Sequence, residues 1–233
     1  MLRFGNKDNI TIEESCSRDH VNREVMTELV LGSIVGAPRL GVCAAGYNHS
    51  LAINSSKQLF VWGRNSEGQV GNGSTSNQTS PVKVLDNVEF CAAGYHHSLA
   101  INSSKQLFVW GHNGNGQVGN GSTSNQTSPV KVLDNVEFCA AGYHHSLAIN
   151  SSKQLFVWGR NNEGQVGNGS TSNQTSPVKV LDNVEFCAAG YYHSLAINSS
   201  KQLFVWGNNG YGQVGNGSTS NQTSPVKVLD NLL

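Results

Sequence analysis

The sequence predicts an all-β protein, a β-propeller of four-stranded antiparallel blades with four blades in the chain and a short helical segment ahead of them. Three observations carry this. From Cys43 the sequence restarts at Cys91, Cys139 and Cys187, a period of 48 residues that runs to the C-terminus. Each period holds four short strand-like runs separated by turn residues, and none has the length or the 3.6-residue spacing of a helix. Four short strands in a repeat of this length make a propeller blade, whereas a solenoid coil uses fewer residues per turn.

Residues 1–42 lie outside the repeat. Asp19 is suited to cap a helix running to about Leu31, with Val21, Val25 and Leu29 on one face, and Gly36-Ala37-Pro38 ends it. A packing element that covers a blade face is expected there, a partner-binding helix being the alternative. The repeats then occupy 43–233 as blades 43–90, 91–138, 139–186 and 187–233. In the first blade, Val42 to Ala45 leads into Gly46, and in later copies this run is fuller, as in Val88-Glu89-Phe90-Cys91-Ala92-Ala93. Its small residues suit an innermost strand, where blades converge and side chains have little room. His49 to Ile53 ends at Asn54-Ser55-Ser56; Gln58 to Trp62 ends at Gly63 and is apolar on both faces, as for a strand sandwiched between blades. Val82 to Leu85 follows Pro81 and stops at Asp86-Asn87.

The repeated string Gly-Tyr-x-His-Ser-Leu-Ala-Ile, then Leu-Phe-Val-Trp-Gly-x-Asn-x-x-Gly-Gln-Val-Gly-Asn-Gly and a later Pro-Val, resembles the repeat of the regulator of chromosome condensation family. The resemblance covers residues 43–231 in all four copies. It implies a propeller, usually of seven blades. With four, each end of the row leaves an apolar face open unless a tight ring forms, the N-terminal segment caps it, or two chains pair. Near-identical copies favour a homodimer closing an eight-bladed ring, because a contact between chains can reproduce the contact between blades.

Apart from the chain end, where Leu232-Leu233 replaces Val-Glu-Phe, four of the 48 columns in the repeat vary. The first holds Asn48, His96, His144 and Tyr192; the second Arg64, His112, Arg160 and Asn208. The third holds Ser66, Gly114, Asn162 and Gly210, and the fourth Glu67, Asn115, Glu163 and Tyr211. In an antiparallel blade the one-to-two and three-to-four connections emerge at the same end, so all four columns share one face of the propeller. Tyr, Ser, Gly, Asn, Arg and His dominate the set, close to the alphabet of antibody paratopes. These sixteen residues are the candidate partner-binding site. The plainer reading is recent duplication with a few accidental differences left in the loops, where change is cheapest.

Other chemistry finds little support. Lys plus Arg and Asp plus Glu number 15 each, so the net charge is zero and neither nucleic acid nor an anionic membrane is an expected partner. No apolar run suits a signal peptide or a membrane span, the five cysteines lack paired spacing, and a cytoplasmic location is expected. The resemblance admits a nuclear one. Asn-x-Ser/Thr triplets such as Asn54-Ser55-Ser56 then read as polar loops. His49, His97, His145 and His193 form a ring of one per blade, but the resemblance implies a structural, hydrogen-bonded role, so no metal is expected. Ser50 has no fixed acidic partner, and GQVGNG lacks the Lys-Ser/Thr of a phosphate loop, so neither an enzyme nor a cofactor is expected. The function read from the sequence is a non-enzymatic protein-interaction propeller. The resemblance also suggests a guanine-nucleotide exchange factor for a small GTPase, and a lectin-like carbohydrate-binding module is a third class.

Overall fold

The structure, a computed structural model, describes residues 42–232. The helix expected after Asp19 lies outside them. All regular elements among the described residues are strands, in four antiparallel sheets, each a simple meander in chain order. The first blade is β1 (Cys43–Ala45), β2 (His49–Ile53), β3 (Leu59–Gly63) and β4 (Gln78–Leu85). The second is β5 (Val88–Ala93), β6 (His97–Asn102), β7 (Leu107–Gly111) and β8 (Gln126–Leu133). The third is β9 (Val136–Ala141), β10 (His145–Asn150), β11 (Leu155–Gly159) and β12 (Gln174–Leu181). The fourth is β13 (Val184–Ala189), β14 (His193–Asn198), β15 (Leu203–Gly207) and β16 (Gln222–Leu229). Strands β1, β5, β9 and β13 pack in succession, which places the small Cys-Ala-Ala residues where the blades converge.

The fourth strand of each blade starts earlier than expected, at Gln78 rather than Val82. The pairing jumps from Val61–Val82 to Gly63–Gln78, so a bulge passes Pro81 without needing its missing N–H. An outermost strand tolerates this because its far side carries no ladder.

The core lies in the seams between blades. At the first seam Leu51, Leu59, Val61 and Val70 of one blade meet Val88, Cys91, Ala100 and Trp110 of the next, all buried. The same columns repeat at the second and third seams, around Trp158 and Trp206. Each seam is also tied at the end of the β2–β3 turns. There Asn54 Oδ1 accepts from the backbone N–H groups of Ser56 and Gln58, while Lys57 turns the chain at φ 58° and its carbonyl accepts from Val88 N–H at 2.8 Å. Lys57, Glu89 and Lys105 form an exposed ionic ladder across the same turns.

Candidate partner-binding face

The loop from β3 to β4 is long, and one buried asparagine folds it. Asn65 Nδ2 donates to the carbonyls of Ser74 and Ser76, at 2.9 and 3.0 Å, while its Oδ1 accepts from Val70 N–H at 2.9 Å. Asn113, Asn161 and Asn209 repeat this clip. The clip presents the next residue needed, Gln69, to the following blade. Its backbone carbonyl accepts from Trp110 Nε1 at 2.9 Å and from Ser98 Oγ at 2.8 Å. Because the Ser98 hydroxyl spends its proton there, its oxygen is the acceptor for His49 Nε2–H, 2.9 Å away. His97–Ser146–Gln117 and His145–Ser194–Gln165 are the same relay at the next seams.

The histidine ring seen in the sequence is therefore a set of seam bolts. His49, His97 and His145 keep the proton on Nε2, and their Nδ1 atoms are buried without a hydrogen-bond partner, whereas His193 of the last blade bolts no seam among the described residues. Burial lowers the ring pKa, His49 to about 4 and His145 to about 3, with neighbouring His96 and His193 adding to the effect respectively. These rings are neutral. Among the described residues no three His, Cys, Asp or Glu side chains converge as a metal site would require.

The four variable columns do emerge together. Arg64 N–H donates to the Asn48 carbonyl at 2.8 Å, and His112–His96, Arg160–His144 and Asn208–Tyr192 repeat the bond. Across the second and third seams the second column meets the first column of the next blade, and at the first seam its charge acts on it. The guanidinium of Arg64 acts on His96, whose pKa falls mainly through burial and next through that charge. His112 and His144 lie with ring centroids 5.0 Å apart and planes tilted by 44°, both within hydrogen-bonding reach of Gln117 Nε2. Arg160 lies over the Tyr192 ring at 4.6 Å and reaches its hydroxyl at 3.4 Å. The eight residues thus form one row, joined by backbone bonds within each blade and by side-chain contacts across the second and third seams. Asn48 and Asn208 are its two ends.

The third column adjusts to the second. Ser66 Oγ accepts from Arg64 Nε at 2.8 Å, whereas a methyl at Gly114 would press on the His112 ring at 3.0 Å. Ser66, Gly114, Asn162 and Gly210 are all exposed. In the fourth column Glu67 accepts from Asn125 of the next blade at 2.6 Å, Asn115 from Asn173 at 3.2 Å and Glu163 from Asn221 at 2.7 Å. Tyr211 follows no such pattern and is 97% exposed.

Two features were missed in the sequence. Tyr47, Tyr95, Tyr143 and Tyr191 stack with centroids 4.2, 4.1 and 3.8 Å apart beside the first column. An invariant aromatic directly before a variable position, in the loop leaving the innermost strand, was the signal. Gln69 and its copies gave none, since a glutamine in a glycine-rich loop does not announce that its carbonyl is the hub of a seam. At the third seam Gln165 Nε2 and Arg160 Nε are buried donors without an acceptor, because Tyr192 and Asn162 stand where His and Ser stand elsewhere.

A family model described as the Regulator of chromosome condensation (RCC1) repeat matches residues 57–101, 105–149, 153–197 and 201–232, and a second of the same description matches 44–69, 92–117, 140–165 and 188–213. The chain belongs to the RCC1 repeat family. Among solved RCC1-type structures it is similar to Prp20p from Saccharomyces cerevisiae, at 24% identity over 81% of this chain and 50% of that one, with a TM-score of 0.72. That protein's structure is reported with its binding to Gsp1p and histones. Yeast RCC1 (Prp20) bound to Kap60 matches at 25% identity, over 81% and 48% of the two chains, TM-score 0.72. Human WBSCR16 matches at 26%, over 80% and 52%, TM-score 0.70. The chain spans about half the length of these RCC1-type structures.

Proposed function

We propose that this RCC1-repeat chain is a non-enzymatic protein-interaction propeller that takes a macromolecular partner on the end of its blades bearing the four variable columns. The observation that carries the reading is that the first two variable columns are joined by backbone bonds within each blade and meet through their side chains across the second and third seams, with the other two variable columns in the same loops. Exposed Arg64 lies in that row and exposed Asn162 and Tyr211 flank it, a mix of aromatic and polar groups suited to protein recognition. The structure of Kap60 bound to yeast RCC1 (Prp20) supports a protein as the partner class.

The experiment is affinity capture on the immobilised chain, followed by titration of the recovered partner against variants. Tyr211→Ala and Arg64→Ala are expected to weaken binding, by about 2 kcal/mol where the side chain is a hot spot. Ser56→Ala, at the opposite end, is expected to leave it unchanged. Loss only with the opposite-end variant overturns the reading, and stimulated nucleotide release from a small GTPase would replace it with the exchange-factor reading.

A further inference from the structure

The three internal seams are built from identical parts, and the two ends of the row carry the unmatched halves of a fourth. A seam needs a receiving face, formed at the first seam by Ser98, Ala100 and Trp110, and a donating face, formed there by His49, Leu51 and the Gln69 loop. The first blade presents the receiving residues Ser50, Ala52 and Trp62, all part-buried where their counterparts are buried. The fourth blade presents the donating residues His193, Leu195 and Gln213, again part-buried where their counterparts are buried.

Glycine marks the mismatch most sharply. A Cβ at Gly71, Gly119 or Gly167 would fall 2.5 Å from the indole Nε1 of Trp110, Trp158 or Trp206, so each of these loops lies flat on a tryptophan. At Gly215 the same Cβ meets nothing within 4 Å. The faces of one chain therefore do not cover each other.

We infer that a second copy of this chain covers them, the donating face of each fourth blade docking on the receiving face of the other copy's first blade. Two such seams close an eight-bladed ring with twofold symmetry, and every part is already proven to fit, since internal seams are the template. Trp62 takes the place of Trp110 beneath the 212–217 loop, with the Gln213 carbonyl as its acceptor. The diversified face continues through the new seam as well. Asn208 and Asn48, the unmatched ends of the variable row, come together as two amides, each able to donate and accept. Tyr191 and Tyr47, 54% and 61% exposed, bring their outer faces into the tyrosine stack.

Sedimentation equilibrium of the full 233-residue chain at micromolar concentration tests this. A single species of twice the 24.9 kDa chain mass is expected. Gly215→Asn is the companion variant, because asparagine tolerates the left-handed φ of 81° and its side chain enters free space in a lone copy but strikes Trp62 in the ring. It is expected to weaken dimerisation by roughly 100-fold or more, as blocking a central packed contact does, with the circular dichroism of the blades unchanged. A wild-type monomer overturns the inference, whether its faces stay open or residues 1–41 cover them. So do open-ended oligomers, or a Gly215→Asn protein that dimerises as well as wild type.

Discussion

Trp110 in the second blade donates its indole N–H to the backbone carbonyl of Gln69 in the first, 2.9 Å away and fully out of water. The same bond joins Trp158 to Gln117 and Trp206 to Gln165, so the third strand of one blade is locked to the loop of the previous one. Trp110→Ala and Trp158→Ala are each expected to lower stability by about 3–5 kcal/mol, the usual cost of emptying a buried tryptophan site. Trp62→Ala, measured in urea at a protein concentration dilute enough to keep the chain monomeric, is expected to cost distinctly less. Equal losses at Trp62 and Trp110 under those conditions contradict this asymmetry.

The serine of the relay carries a different kind of load. Ser98→Ala removes one of the two donors to the Gln69 carbonyl, which keeps its bond from Trp110, and removes the acceptor of His49 Nε2–H, which leaves that buried N–H unmatched. Its expected cost is about 1–3 kcal/mol, larger than its small apolar area alone would suggest. In a dilute monomer Ser50→Ala is expected to be nearly neutral, because no preceding blade reaches it. Urea midpoints of the two variants decide the matter.

Much of this architecture was legible in the sequence, for reasons that can be traced to particular residues. The 48-residue period and alternating turn residues exposed the blades, and the confinement of variation to four columns exposed the face they share. The start of β4 was hidden, because its pairing passes a bulge at Pro81 that no hydrophobic pattern announces. Hidden too was the pairing of one blade's second column with the next blade's first, as in His112 with His144, since they stand 32 positions apart and meet only across a seam. The end opposite the four variable columns is invariant across the copies. Its turns prove to carry seam bonds, such as Val88 N–H to the Lys57 carbonyl and Ser103 N–H to that of Asn87.

The buried histidines set a pH dependence of defined sign. His49, His97 and His145 are neutral in the native blades, with pKa values depressed chiefly by burial, to about 4 for His49 and about 3 for His145. The unfolded chain takes up these protons near pH 6.5, so between there and about pH 4 it binds more protons than the native state. Stability is therefore expected to be full above pH 6.5 and to fall as pH drops, by up to about 1.4 kcal/mol per pH unit for each histidine. The carboxylates of Asp86, Asp134, Asp182 and Asp230, held below their usual 3.8 mainly by hydrogen bonds from lysine and glutamine, lose their contribution only at lower pH. Urea midpoints that stay flat from pH 6.5 to 4.5 contradict the neutral, Nε2-protonated assignment.

Whether the diversified end of the blades receives the partner is tested most directly by site-specific photo-crosslinking within one blade. A photoreactive residue is placed at Asn162, exposed in the third variable column, and in a second protein at Ser152, exposed in the β10–β11 turn at the opposite end. Both lie on the third blade, away from the open ends of the row, so the outcome does not depend on the oligomeric state. Irradiation in the presence of the captured partner is expected to yield a cross-linked product from position 162 and none from position 152. A product from position 152 alone contradicts the assignment of the binding face.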